Sequence, residues 1–206
     1  MPRSSALAPP KRLVVASANP GKLREFRSLL EGLPFELTSL AELGLSSPEE
    51  RGTSFLENAA LKARHAAASS GYAAVADDSG LEVDALGGAP GLFSARYAGS
   101  GADEAANNAK LLRELHGIPM ERRQARYRCA LVFVSGALDP APLQAEGEWQ
   151  GIILDAPRGS GGFGYDPYFW LPELQLTAAQ LDSHAKNRLS HRGSALRALR
   201  ARLVLQ

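Results

Sequence analysis

Short apolar runs ending in turn formers alternate with longer segments of helical period along the first half of this chain, and that alternation predicts an α/β fold. Three stretches carry the prediction. Leu13-Val14-Val15-Ala16 runs directly into Ser17-Ala18-Asn19-Pro20-Gly21, the Ala-rich segment Phe55 to Ser69 has strong helix propensity, and Tyr127 to Ser135 with Pro142 to Ile153 reads as a β-hairpin. At 206 residues, 45% hydrophobic and 22% charged, the chain can bury a sizeable core, and neither disorder nor a coiled coil describes it.

Taken in order, residues 1–11, MPRSSALAPPK, have no continuous apolar run and read as a frayed tail, with a single domain over 12–206. Leu13 to Ala16 is a buried strand, followed by a helix on which Leu23, Phe26, Leu29 and Leu30 recur at helical spacing before Gly32. Phe35 to Leu40 is a strand, and residues 46–52 (SSPEERG) form a loop with two acids at its centre. Ser54 and Glu57 match a capping box at the start of the Ala-rich helix, which stops at Gly71. Ala73 to Ala76 is a buried strand expected to end at Asp77-Asp78-Ser79-Gly80 before apolar residues resume at Leu81. Residues 87–91 (GGAPG) are loop, Asp103 to His116 is helical through Leu111, Leu112 and Leu115, and the chain closes with a helix from Ser190 carrying Leu196, Leu199 and Leu203.

The formal charge is +1, from 23 basic against 22 acidic residues, so there is no overall field to hold a polyanion such as duplex DNA. Phosphate binding must be local. The single cysteine, Cys129, can form no internal disulfide and reads as a small buried hydrophobe. No stretch reaches the roughly 18 apolar residues needed to span a bilayer. A soluble, cytoplasmic protein without a membrane or nucleic-acid partner is expected.

Ser17-x-Asn19-x-x-Lys22 lies on a strand-to-helix loop, where free backbone N–H groups and a lysine attract phosphate; the bland alternative is a good turn beside a solvated lysine. It is not a P-loop, whose glycine-lysine spacing is absent. Glu49, Glu50, Asp77 and Asp78 offer oxygen ligands suited to magnesium, which takes one or two protein carboxylates. An exposed acidic loop and a turn cap are the alternatives. Gly159-x-Gly161-x-x-Gly164 matches the dinucleotide fingerprint in letters, but Tyr165-Asp166-Pro167 cannot begin the required helix, so it reads as a flexible loop beside a ligand. Lys186 and Ser190-His191-Arg192 put basic charge at a helix start, where it meets the positive end of the dipole, and this raises a ligand role above a merely capped helix. Arg126 and Arg128 read as a solvated strand face. No G-x-S-x-G, reactive cysteine or D-x-D arrangement supports a covalent nucleophile, which leaves metal-assisted water.

Six motifs, in order, resemble the inosine triphosphate pyrophosphatase family: residues 17–22 (SANPGK), 54–59 (SFLENA), 76–81 (ADDSGL), 87–91, 161–167 (GGFGYDP) and 190–192 (SHR), spanning roughly Arg12 to Leu203. The family often has Thr-Gly-Asn where this chain has Ser17-Ala18-Asn19. The resemblance implies an elongated mixed β-sheet flanked by helices, two lobes with a central active-site cleft, and a homodimer. It implies magnesium-dependent hydrolysis of ITP, dITP and XTP to the monophosphate and pyrophosphate, cleansing the nucleotide pool. It also implies that Asp78 is the catalytic base or metal ligand with Glu49 or Glu50 as second carboxylate. Ser17, Asn19, Lys22 and Ser79 would hold phosphates and sugar, Phe163, Gly164, Tyr165, Asp166 and Lys186 would flank the nucleotide, and His191 with Arg192 would read the base. Donors at a 6-keto group would leave adenine's amino group facing a donor, at about 1–3 kcal/mol each. A module that binds nucleotide without cleaving it, and a single-strand nucleic-acid binder using Phe163, Tyr165 and arginines, are the rivals; near-zero charge disfavours the second.

Overall fold

The computed structural model describes residues 11–204. The tail reading for residues 1–10 lies outside the described residues, whereas Lys11, placed in that tail, belongs to the first strand. Among the described residues a single seven-stranded sheet has the order β2-β1-β3-β4-β5-β6-β7. β1 (Lys11–Val15) pairs in parallel with β2 (Phe35–Ser39) and β3 (Ala73–Val83), and the remaining pairs are antiparallel through β4 (Gln124–Val134), β5 (Leu143–Ile153), β6 (Phe169–Leu171) and β7 (Leu176–Thr177).

The helices follow their sequence signals at the caps. α1 (Pro20–Leu29) has Asn19 as N-cap and proline in its first turn. α2 (Phe55–Ser70) starts at Ser54, whose hydroxyl accepts from Glu57 N, and ends at Gly71 with φ +73°. The capping box is half made, because the Glu57 carboxylate turns to the amide and hydroxyl of Thr53. α3 (Glu104–Glu114) is capped by Asp103. A short helix not anticipated from sequence, α4 (Ser183–Leu189), precedes α5 (His191–Val204), and the Ser190 hydroxyl accepts from Gly193 N at the α5 start.

The strand expected to stop at Asp77 does not stop. β3 runs unbroken to Val83, with Asp77 opposite Leu131 and Asp78 opposite Ala130 on β4. Ladder hydrogen bonds to an 11-residue partner strand carry the backbone through two acids that local pattern reads as punctuation. Because strand side chains alternate, Asp77 points to the face covered by α1 and α5 and Asp78 to the face covered by α2.

Among the described residues three apolar clusters form the core. One joins β1, β3, β4 and β5 to α1 and α5, a second packs the Ala stripe of α2 on the opposite face, and a third lies further along the long strands under α3 and β6. The first two form one lobe and the third the other, with Asp77 to Gly80 at the seam. Cys129 is buried in the first cluster, and burial pushes its thiol up to about 12. Arg126 and Arg128 are not simply solvated: they pair with Glu82 and Glu146 on neighbouring strands and with Asp84 just past the end of β3. Among the described residues no helix is long and apolar enough to cross a membrane.

Candidate active site

A cavity of about 410 Å³ opens at the seam, within the range of small-molecule sites. Of the residues singled out from sequence, Asn19, Lys22, Glu50, Asp78, Ser79, Phe163 to Asp166, Lys186, His191 and Arg192 line it. The far wall comes from the second lobe, at Leu92, Ser94, Asp103 and Asn107.

The loop after β1 is shaped by its own side chains. Ser17 Oγ accepts from Asn19 N at 3.2 Å, and Asn19 Oδ1 accepts from Gly21 N at 2.8 Å and Lys22 N at 3.1 Å. Pro20 has no N–H, and Leu23 N donates to Asn19 O. The first turn of α1 therefore offers no free amide to an anion, a correction to the cradle read from sequence. Its cation remains. Lys22 Nζ lies 2.9 Å from Asp77 Oδ2 at the cavity edge, and Ser17 acts through the loop without lining the cavity.

Asp77 is the fully buried anchor of one charge cluster. Its Oδ2 receives Lys22, the Ser79 hydroxyl at 2.9 Å and Arg192 Nη2 at 3.0 Å, while Oδ1 has no partner. Burial alone would raise its pKa, but Lys22, Arg192 and Lys62 outweigh that and hold the carboxyl far below the usual range. Arg192, 2% exposed, also donates Nε to Asp77 Oδ2 at 3.1 Å and Nη1 to Glu25, while its Nη2 lies 3.3 Å from the Ser79 hydroxyl. It is a charged strut between lobe elements more than a loose donor.

On the other sheet face, Asp78 meets α2. Lys62 Nζ sits 3.0 Å from Asp78 Oδ1 and 2.8 Å from Glu50 Oε1, and Asn58 Nδ2 donates to Asp78 Oδ2 at 3.1 Å. Asn58 Oδ1 also accepts from Gly52 N at 2.7 Å, tying the acidic loop to the helix. Glu50 is therefore the loop acid that reaches the cluster. Glu49, its equal in the sequence reading, turns outward to Arg51 and does not line the cavity. Burial, and next Glu50, push Asp78 above the ordinary carboxylate range despite Lys62. Burial pushes Glu50 the same way, but Lys62 and Arg96 reverse it and leave Glu50 below that range. Asp77 and Asp78, adjacent in sequence, face opposite sides of the sheet. Glu50 is the acid that repels Asp78.

The Gly-rich loop closes the cavity over α1. Asp166 accepts from Phe163 N at 2.9 Å and from Lys186, and Gly162 has no room for a side chain, since a Cβ there would lie 2.1 Å from Asp166 Oδ2. The Phe163 ring rests on Gly21 and under two cations, Lys186 at 4.5 Å and Arg192 at 5.8 Å from its centroid. Asn108 Nδ2 holds the Gly164 carbonyl, and Tyr165 OH donates to Ser94 O, so the loop is pinned to the second lobe. His191 stacks on Tyr127 at 4.8 Å, with its Nδ1 buried and unpartnered. Burial, and then Arg192 and Lys186, hold its pKa well below the ordinary value, so the ring is neutral at pH 7.

Sequence reasoning passed over Lys62, Asn58, Glu25 and Arg96. A signal existed for the first two: Asn58 and Lys62 fall within the buried stripe that also contains Ala59, Ala63 and Ala66, where polar residues need partners. Glu25 and Arg96 carried no such mark, since their partners come from distant parts of the chain.

The fold and the cleft define an α/β protein with a cavity between two lobes, lined by Lys22 and Lys186 together with the carboxylates of Glu50, Asp78 and Asp166. The chain belongs to the Ham1 family, whose model matches residues 13–202. It is 55% identical over 193 residues to a dITP/XTP pyrophosphatase of Xanthomonas campestris pv. campestris, covering 94% of this chain and 97% of that protein. It is 53% identical over 192 residues to a dITP/XTP pyrophosphatase of Thioalkalivibrio sulfidiphilus, covering 93% and 98%. A HAM1 protein from Coxiella burnetii matches in structure with a TM-score of 0.87 at 44% identity, over 95% of this chain and 100% of that one. The Staphylococcus aureus Ham1 protein matches with a TM-score of 0.82 at 40% identity.

Proposed function

We propose that this protein is a nucleoside-triphosphate pyrophosphohydrolase acting on dITP, XTP and ITP, releasing the nucleoside monophosphate and pyrophosphate. The observation that carries the reading is the pair Glu50 and Asp78 gathered on one ammonium at the edge of a cavity that Lys22 and Lys186 also line. Family membership and the relatives named above support the substrate class.

The donor set fits magnesium, which accepts one or two protein carboxylates and fills its remaining positions with water and phosphate oxygens. Glu50 and Asp78 are hard oxygen donors within reach of a single cation. Among the described residues no cluster of three or more His, Cys, Asp or Glu offers a fuller protein cage. When bound, magnesium would offset charge on the leaving pyrophosphate.

The chain's own residues do the rest. Lys22 and Asn19 hold phosphate oxygens at the mouth of the first loop. Asp78, at the cavity wall, would take the proton of a water attacking the α-phosphorus, as the bond to the bridging oxygen breaks and pyrophosphate departs. Phe163 covers the nucleotide, and the neutral His191 ring presents either a donor or an acceptor according to its tautomer. A 6-keto purine would match a donor there, and adenine would not.

The same reading includes removal of deaminated purines from the cytoplasmic nucleotide pool and action as a homodimer. Pyrophosphate release measured with ITP, dITP, XTP, ATP and GTP in magnesium tests it. Preference for the first three is expected, and equal rates on ATP would refute the substrate assignment.

A further inference from the structure

All four carboxylate oxygens of the Glu50 and Asp78 pair face donors from the protein. Lys62 Nζ takes one oxygen of each, at 2.8 Å and 3.0 Å, Arg96 Nη1 lies 3.3 Å from Glu50 Oε2, and Asn58 Nδ2 lies 3.1 Å from Asp78 Oδ2. The formal charges of two carboxylates, one ammonium and one guanidinium cancel. Lys62 is also sited unlike Lys22 and Lys186: the cavity is lined by the two acids in front of it rather than by the ammonium itself. Arg96 comes from the other lobe, half-exposed, with its guanidinium over the Phe93 ring.

We propose that Lys62, assisted by Arg96, is the built-in counter-cation of the Glu50 and Asp78 pair and withholds a divalent cation from it until a polyphosphate is bound. The proposal rests on the reading of these two acids as the metal-holding carboxylates. A divalent ion held by these two acids would meet the ammonium they share at close range, in a part-buried site where water screens the repulsion weakly. Without nucleotide the neutral cluster offers no net attraction to set against it. A bound triphosphate adds several negative charges on the cavity side and reverses the balance, so metal and nucleotide each strengthen the other's binding. Lys62 is on this view a positioning residue that sets the order of loading.

The test is equilibrium binding of Mn²⁺, followed by the electron paramagnetic resonance signal of the free ion, at pH 8 without nucleotide. Lys62→Gln should bind Mn²⁺ more tightly than the unaltered protein by about tenfold or more, and Lys62→Arg, which keeps the charge, should stay weak. Arg96→Gln should tighten binding in the same direction by less, and it carries the test if Lys62→Gln does not fold. The unaltered protein should gain Mn²⁺ affinity when the α,β-methylene analogue of ITP is added, and Lys62→Gln should gain less. Binding by Lys62→Gln or Arg96→Gln as weak as in the unaltered protein, while the analogue complex still retains Mn²⁺ in a Glu50-dependent way, would overturn the counter-cation role. Tight binding by Lys62→Gln that survives the added change Glu50→Gln would instead overturn the metal-holding assignment beneath it.

Discussion

Replacing Gly147 by alanine puts the seat of α5 under direct strain. Gly147 lies in the middle of β5, opposite Cys129 of β4, where α5 begins its run across the sheet. A Cβ there would stand 2.1 Å from the carbonyl oxygen of His191 and 2.9 Å from the amide nitrogen of Ala195. Both are backbone atoms, so no rotamer change relieves the clash, and strand or helix must retreat by nearly an ångström. Propensity alone predicts the opposite sign, because alanine is favoured over glycine inside a strand by about 0.5–1 kcal/mol. Overpacking costs about 1–3 kcal/mol, and contact between two backbones belongs at the upper end. The expected outcome is a net loss of stability of about 1–3 kcal/mol in urea unfolding. The effect on catalysis is larger. The displaced residue is His191 itself, with Arg192 and its 3.0 Å contact to Asp77 next in the chain, and misplacement by about 1 Å can cost on the order of a hundredfold in kcat/KM. Steady-state pyrophosphate release from dITP measures that loss. A Gly147→Ala protein as stable as the unaltered one, with undiminished turnover, would refute the view that this close approach sets the site.

Two further outcomes follow from geometry and charge. Glu49→Gln should leave turnover and stability nearly unchanged, since it removes only an exposed pair with Arg51, whereas Glu50→Gln should cut pyrophosphate release sharply; comparable losses in both would show that the loop rearranges on binding. Acid sensitivity should begin at His191: its folded pKa lies below that of the unfolded chain, so stability present above the unfolded value of about 6.5 is lost as pH falls, by about 2 kcal/mol at most between pH 6.5 and 5. Below about pH 4 the depressed Asp77 adds a second loss of the same sign. Urea unfolding at pH 7 and 5 checks this, and His191→Gln should abolish the difference attributable to the ring; an equal pH dependence in that variant would exclude His191 as its source.

Much of this protein is written in short range. The boundaries of α1, α2 and α3 follow from Asn19, Ser54, Gly71 and Asp103, because caps satisfy backbone groups within three or four residues of themselves. The hairpin of β4 and β5 follows from apolar runs around a turn-rich segment, and the Gly-rich loop is distinguished from a dinucleotide site by the residues directly after it. The motif order also suffices to bring Lys22, Asp78, Phe163 and His191 under one family resemblance before any coordinates are known.

What local pattern cannot supply is which side of the sheet a charge faces, and with what. Asp77 and Asp78 are neighbours in sequence, yet the pleat sends one to Lys22 and Arg192 and the other to Lys62 and Asn58, and only the pairing of β3 with β4 carries the strand through both. The same holds for Glu49 and Glu50, indistinguishable as letters but separated by one side chain's reach to a lysine on α2. A buried charge is stable only beside partners, and here those partners lie from 12 to more than a hundred residues away. Their choice is made by tertiary packing, since the desolvation cost that selects them does not exist until the two lobes have closed around the cleft.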